Sequence, residues 1–406
     1  MGRRQDRRRS GYGARVTQPA SPAARTMRAA VLVDVDRIEV RQVPVQSPEP
    51  HEVLVGVRAV GLCGTDLHIV AGHANYHTDD HGRPYPLRTH PQILGHEIAG
   101  VVEEVGRDVV DVAPGDRVIV DQGRTCVSEH RVPICEYCRS GDSHQCEYYA
   151  EHGITGPPGG FAEFVTVPAA NTVRIESGLP SLDAALAEPL GCVVHSSDLI
   201  ARAAARYPLG RAGERHGLRS ILICGGGPAG LLFTQYLRGV LGYEGTLLLA
   251  EPNERRRELA RTFGADTIDP SNEDLIDAVA ERTSGRRAEL LIEATGSGAL
   301  VAMIPSLVRK QATVVLYGHG HSGVGLGVLN PLQFMEPTLV SPAGASGARR
   351  DDRRPLTYVR ALELVERGVV DVASLVTHRY DSLDAVPDAF AGDHRRPDYV
   401  KGVVVL

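Results

Sequence analysis

The spacing of hydrophobic positions changes about midway along the chain. From Met27 to about residue 185, apolar residues come in short runs broken by Gly, Pro and Asp. Val53 to Val60, Gly100 to Val105 and Asp116 to Val120 each read as a strand bounded by turn residues. They predict a β-rich domain of barrel type. After Gly191 the pattern differs. Ser220 to Cys224 is a compact apolar strand, Pro228 to Leu241 is helical, and Thr246 to Ala250 is the next strand. Helices over Asn253 to Phe263, Leu275 to Arg282 and Val301 to Val308 then alternate with strands over Leu290 to Glu293 and Thr313 to Tyr317. Such alternation predicts an α/β, doubly wound parallel sheet with helices on both faces. The expected division is a tail over 1–26, a β-rich domain over 27–188, a nucleotide-binding domain over 189–335, and a return to the first domain over 336–406. There is no internal repeat.

A chain of 406 residues is too long for one ordinary core and suits two domains. Its net charge of −6 is mild, and no apolar run approaches the ~20 residues a membrane span needs. No nucleic-acid or membrane partner is therefore expected, and the expected location is cytoplasmic. Basic charge is almost all arginine, since Lys310 and Lys401 are the only lysines. The first 26 residues carry seven arginines and almost nothing apolar, so a disordered tail is expected. The tail lacks the apolar stretch of a secretory signal, and Met27 reads as a natural start. Of seven cysteines, Cys126, Cys135, Cys138 and Cys146 fall in one short stretch, which favours metal ligation over disulfides.

Gly225-Gly226-Gly227-Pro228-Ala229-Gly230 fits G-x-G-x-x-G, directly after a predicted strand and at the start of a predicted helix. Gly225 permits the tight turn, Gly227 lets the backbone approach a pyrophosphate, and Gly230 lets helix and strand pack closely. The helix start, with Pro228 and Ala229, offers free N–H groups and partial positive charge to the phosphates. Glu251 ends the next strand about 20 residues on, where a carboxylate accepts from ribose hydroxyls and repels a 2′-phosphate. That favours NAD. Arg256, between Arg255 and Arg257, leaves NADP open as the less favoured cofactor.

Three further stretches complete the pattern: Gly61-Leu62-Cys63-Gly64-Thr65-Asp66-Leu67-His68, Gly95-His96-Glu97, and Ala187-Glu188-Pro189-Leu190-Gly191-Cys192. With the dinucleotide turn, they make the chain resemble the zinc-containing medium-chain dehydrogenase/reductase (alcohol dehydrogenase) family, in its sorbitol and threonine dehydrogenase branch. The resemblance runs from Met27 to the C-terminus. It implies a GroES-like catalytic domain beside a Rossmann domain. It also implies a catalytic zinc on Cys63, His96 and Glu188, with Glu97 as an alternative ligand. Three protein ligands leave one position open for water or substrate. Thr65 matches the hydroxyl that takes the substrate proton, and His68 the group that passes it on through the cofactor ribose.

The resemblance further implies a homodimer or homotetramer, with contacts around Leu326 to Leu339. The expected reaction is hydride transfer between a secondary alcohol of polyol, sugar or cyclitol type and NAD. The same residues serve a zinc-dependent ketone reductase of a biosynthetic pathway, and a non-catalytic nucleotide-binding protein is the reading from another class.

The sequence departs from the family in two places. The family's structural-zinc spacing C-x2-C-x2-C-x7-C keeps its last three cysteines as Cys135, Cys138 and Cys146, but its first position falls on Val132. Cys126 completes a four-thiolate site only if Val127 to Ile134 folds back, the alternative being a lobe without metal. The segment from Gly72 to Pro91 is unusually long and holds His73, Tyr76, His77, His81, Tyr85 and His90. It is either a polar wall for a hydroxylated substrate or a solvated insertion.

Overall fold

Parallel strands covered by helices on both faces bury every side chain, and Ser220–Cys224 and Ala288–Glu293 do so along their whole length. In the computed structural model, which describes residues 25–406, these strands lie at the centre of a six-stranded parallel sheet. The expectation of a disordered tail falls mostly on residues 1–24, outside the described residues. The strand order is Asp266–Ile268, Thr246–Ala250, Ser220–Cys224, Ala288–Glu293, Val308–Leu316, Thr338–Val340. In chain order this is 3-2-1-4-5-6, so the direction of winding reverses between Ser220–Cys224 and Ala288–Glu293. A crevice opens beyond the carboxyl ends of strands at such a point.

The helices follow their caps. Glu254–Thr262 starts where the Asn253 side chain accepts from the Arg256 N–H, and Leu275–Arg282 where Asp274 accepts from Ile276 and Asp277. The expected helix from Pro228 to Leu241 is α-helical only as far as Gln235, and Tyr236–Val240 winds more widely. The wider turn keeps Tyr236 and Leu237 both in the core. It also sets Gly239 against the Val369 carbonyl, which a Cβ would approach to 3.2 Å.

The second sheet has seven strands. Thr172–Arg174, Arg117–Val120, Glu97–Val105, Glu52–Gly61, Lys401–Val405 and Val376–Tyr380 pair in that order, and Phe164–Pro168 also pairs with Glu52–Gly61. The last strand of the chain thus lies antiparallel to Glu52–Gly61, with Val403 opposite Gly61. Across the other edge Gly61 faces Glu97. The helix Ala187–Arg202 buries Leu190, Val193 and Val194 in a core that also contains Ala59 and Ala99 of this sheet and Ile221 and Ile292 of the parallel one. The fold is therefore the expected one, a β-rich barrel-type layer joined to a doubly wound sheet. Among the described residues no helix is long and apolar enough to cross a membrane.

Candidate active site

Cys63, His96 and Glu97 form one of two groups of metal-binding atoms among the described residues, with ligand atoms within 4.8 Å of one another. Cys63 caps the helix Gly64–Val70, and its N–H donates to Asp66 Oδ2 at 3.0 Å. The other oxygen, Asp66 Oδ1, accepts from the Gly95 N–H and lies 3.3 Å from His96 Nδ1. One buried carboxylate thus fixes both the thiol turn and the imidazole. Burial opposes a proton on His96, but the charges of Asp66 and Cys63 outweigh it and hold the imidazole pKa well above its ordinary value.

Glu97 fits between these groups because Gly61 opposite it has no side chain. A Cβ there would sit 1.8 Å from Glu97 Oε2. Glu97 Oε1 accepts from Lys401 Nζ at 2.5 Å, and Lys401 also donates to the Leu62 carbonyl at 2.8 Å. Glu97 Oε2 is buried and has no hydrogen-bond partner. An orphaned carboxylate oxygen beside a thiol and an imidazole fits a zinc ion, since these are its usual donors and the unpaired charge otherwise stands uncompensated.

Glu188 stands outside that tight group. Its Oε1 accepts from Gln122 Nε2 at 2.9 Å and from the Cys192 thiol at 3.4 Å. Burial raises its pKa to about 7, His96 opposing and the charge of Glu97 adding to the rise. The set Cys63, His96 and Glu188 is therefore not what the structure gathers most closely. The third member of the close group is Glu97, which Lys401 contacts, whereas Glu188 lies on Gln122 and Cys192.

The proposed proton path lies on the same short helix. The Cys63 thiol is 3.7 Å from Thr65 Oγ1. His68 sits one turn further on, its ring 6.0 Å from His319 and 6.1 Å from His73. Burial and these two neighbours hold His68 below the ordinary histidine pKa. Among the described residues no direct hydrogen bond joins Thr65 to His68. Of the long histidine-rich segment, Tyr76 reaches the cleft and meets His319 Nε2 at 2.5 Å. His77, Tyr85 and His90 pack on one another instead, with Tyr85 and His90 stacked at 4.3 Å.

Tyr317 and His319 follow the fifth strand of the parallel sheet, so its carboxyl end and the metal group adjoin. Burial, and then the neighbouring Cys192, Glu188 and Cys63, raise the Tyr317 pKa well above its usual value. The glycine turn occupies the same end. Gly225 has φ +105°, and a Cβ on Gly230 would lie 1.9 Å from the Gly225 carbonyl oxygen. Gly227 caps the helix that begins with Pro228, Ala229 and Gly230, and a Cβ on Gly227 would meet nothing within 4 Å, leaving its outer side open. Glu251 accepts from the Gly226 N–H at 2.7 Å and from the Asn253 N–H at 2.9 Å. Arg256 donates to the Tyr399 carbonyl and sits 3.9 Å from Glu251. Arg257 is buried on the Glu251 carbonyl and Asp269. Arg255 alone of the three is exposed.

The cysteine lobe folds back as a four-thiolate site requires. Ligand atoms of Cys126, Cys135, Cys138 and Cys146 all lie within 4.8 Å of one another, while Val132 is 93 % exposed. Burial lifts the Cys126 thiol to about 11, the Cys135 N–H opposing and the neighbouring Cys146 and Cys135 sulfurs adding, and a cation among the sulfurs would bring it down.

Sequence reasoning missed Lys401, Asp66 and Gln122. Asp66 was visible only as a neighbour of Cys63. Lys401 had a signal: it is one of two lysines in an arginine-rich chain, and it opens the apolar run Gly402-Val403-Val404-Val405.

Residues 49–177 match the alcohol dehydrogenase GroES-like domain, and residues 228–358 the zinc-binding dehydrogenase domain. The chain is 32 % identical over 353 residues to an L-threonine 3-dehydrogenase of Pyrococcus abyssi (strain GE5 / Orsay), covering 87 % of this chain and 90 % of that one. It is 29 % identical to an L-galactonate-5-dehydrogenase of Escherichia coli (strain K12), covering 90 % and 94 %. A zinc-binding dehydrogenase of Sinorhizobium meliloti 1021, solved with NADP bound, superposes with a TM-score of 0.74 at 30 % identity, covering 94 % of this chain and 100 % of that one. The chain belongs to the zinc-binding medium-chain alcohol dehydrogenases and is a zinc-dependent, nicotinamide-linked alcohol dehydrogenase.

Proposed function

We propose that the chain oxidises a secondary hydroxyl of a polyol, sugar or cyclitol with NAD, at a zinc held by Cys63, His96 and a carboxylate supplied by Glu97 or Glu188. The observation that carries this reading is the buried, partnerless Glu97 oxygen beside Cys63 and His96. Zinc bound there supplies Lewis acidity to the substrate oxygen. The chain's own groups do the rest. Asp66 orients His96, and Lys401 holds one Glu97 oxygen so that the other faces the metal position. Thr65 takes the hydroxyl proton. His68, kept neutral by its lowered pKa, accepts it through the cofactor ribose. Gly225, Gly227 and Gly230 seat the pyrophosphate, and Glu251 takes the ribose hydroxyls. Arg256 and Arg257 are already engaged with backbone and carboxylates, which supports NAD over NADP.

Tyr76, His319 and His73 at the cleft supply hydrogen bonds for a hydroxylated substrate, in keeping with relatives that act on threonine and L-galactonate. The same geometry serves ketone reduction, and the equilibrium position with each substrate pair decides which direction it runs.

Leu326, Leu329, Phe334 and Leu339 are exposed beside the edge strand Thr338–Val340, an apolar surface that suits a homodimer or homotetramer. Analytical ultracentrifugation reads that state. The same reading gives a cytoplasmic location and a domain limit near 188, while the second limit falls after Val340 and not at 335, because Thr338–Val340 is the sixth strand of the parallel sheet. Replacing Cys63 with Ser is expected to abolish catalytic zinc, read by metal analysis, and NADH formation across a panel of sugars, inositols, amino alcohols and simple secondary alcohols. Retained turnover in that variant would overturn the site.

A further inference from the structure

A second cleft, of about 570 Å³, lies at the amino ends of the parallel strands, opposite the glycine turn. It gathers cations that are far apart in sequence: Arg206, Arg286, Arg287, Arg309 and Lys310 line it with a single carboxylate, Glu336, which accepts from Gln311 Nε2 at 2.7 Å. Among the described residues only Arg286 of these five has a carboxylate within 4.0 Å, the buried Glu289. Arg206 donates to the Gln311 amide oxygen at 3.0 Å and Arg309 to Tyr207 Oη at 2.9 Å, both neutral acceptors that leave the charge uncompensated. Arg286 Nε is buried with no partner at all. Arg287 and Gln311 adopt φ of 65° and 59°, left-handed conformations that non-glycine residues seldom take. Glu336 on the same wall has φ of 48°, so the backbone takes this conformation at three points along the cleft. Like charges crowded in a cleft repel one another, so the arrangement is relieved by an anion.

We propose that this cleft binds a small anion bearing two or more phosphates, with Arg206, Arg309 and Lys310 contacting phosphate oxygens. Guanidinium groups take paired phosphate oxygens through parallel N–H donors. Tyr207 also lines the cleft, with the Arg206 guanidinium 5.8 Å from its ring centroid, and a nucleoside polyphosphate and a bare polyphosphate share the phosphate chemistry the cleft reads. The site is separate from the coenzyme crevice, which occupies the other end of the sheet.

The test is calorimetric titration of the zinc-loaded enzyme, with saturating NADH filling the coenzyme crevice. Tripolyphosphate and ATP are the probes. Tripolyphosphate is expected to bind under these conditions, more weakly as salt screens the cations. In Arg206→Ala/Lys310→Ala the affinity is expected to fall at least tenfold. In Arg37→Ala/Arg41→Ala, which removes the same charge from a distant strand, it is expected to stay within twofold. Tighter binding of ATP than of tripolyphosphate assigns a nucleotide, and equal binding assigns the phosphate chain alone. Absence of binding at low salt overturns the proposal. So does binding abolished by NADH, or binding equally weakened in both double variants. Turnover with NAD is expected to survive Arg206→Ala/Lys310→Ala, so a failed titration is distinguishable from a failed active site.

Discussion

Replacing Lys401 with Met tests how the metal-site carboxylate is held. Methionine keeps most of the aliphatic stem and removes the cation. In the wild type the ammonium lies 2.5 Å from Glu97 Oε1, and neither side chain is more than 3 % exposed. At an effective dielectric of ~20 the Coulomb attraction at that distance is about 7 kcal/mol. Removing two ions from water costs several kcal/mol each, so the intact pair contributes little net stability. Breaking it is a different matter. The carboxylate remains buried with both oxygens unpaired, at a cost of about 3–5 kcal/mol.

The expected result is therefore asymmetric. Lys401→Met alone is expected to lose about 3–5 kcal/mol in the metal-free protein, roughly 10 °C in the transition of the barrel layer. Adding Glu97→Gln removes the stranded charge, and Lys401→Met/Glu97→Gln is expected to recover most of that loss. Zinc supplies positive charge beside the same carboxylate, so the single variant suffers less when zinc-loaded. Calorimetric scans of the four proteins, with and without metal, measure this cycle. If Lys401→Met alone is as stable as the double variant in the metal-free state, the carboxylate is not stranded and the assignment of Lys401 as its anchor fails.

Three further outcomes are expected. Glu251→Ser removes the charge that repels a 2′-phosphate, so the ratio of kcat/KM with NADP to that with NAD is expected to rise at least tenfold, by about 1.4 kcal/mol or more; an unchanged ratio counts against the role of Glu251. Wild-type protein is expected to hold two zinc ions and Cys126→Ala one, read by metal analysis, and one zinc in both proteins would mean a lobe without metal. Burial and the charge of Arg124 lower the His152 pKa to about 4, so the folded state favours the neutral ring. That contribution is present above the unfolded value near 6.5 and is lost as pH falls from there towards 4, by up to about 3 kcal/mol. His152→Gln is expected to flatten the fall of melting temperature over that window. His144 does not confound it. Asp121 outweighs burial and raises the His144 pKa, so its contribution is present below 6.5 and fades only at higher pH.

What the sequence revealed follows from the distance between interacting parts. The glycine turn is legible because its constraints are local: a positive φ at Gly225 and the contact of Gly230 with the Gly225 carbonyl involve residues five apart. Cys63 and His96 are legible for a similar reason, Cys63 opening the helix Gly64–Val70 and His96 following Gly95, whose φ is +89°. The choice between Glu97 and Glu188 is not local. Lys401 reaches Glu97 only because Lys401–Val405 pairs with Glu52–Gly61, and no periodicity in the C-terminal run names that partner. Cys126 was readable as a candidate fourth ligand, but on the condition that Val127 to Ile134 turns back, which no local pattern in that loop decides. The basic cleft is the extreme case. Arg206 and Arg286 lie in two separate connections and Arg309 at the start of the strand Val308–Leu316, and only the amino ends of parallel strands bring them together. A parallel sheet collects its connections at two opposite ends. The family's chemistry occupies the carboxyl end, which leaves the amino end free to hold a second charge pattern.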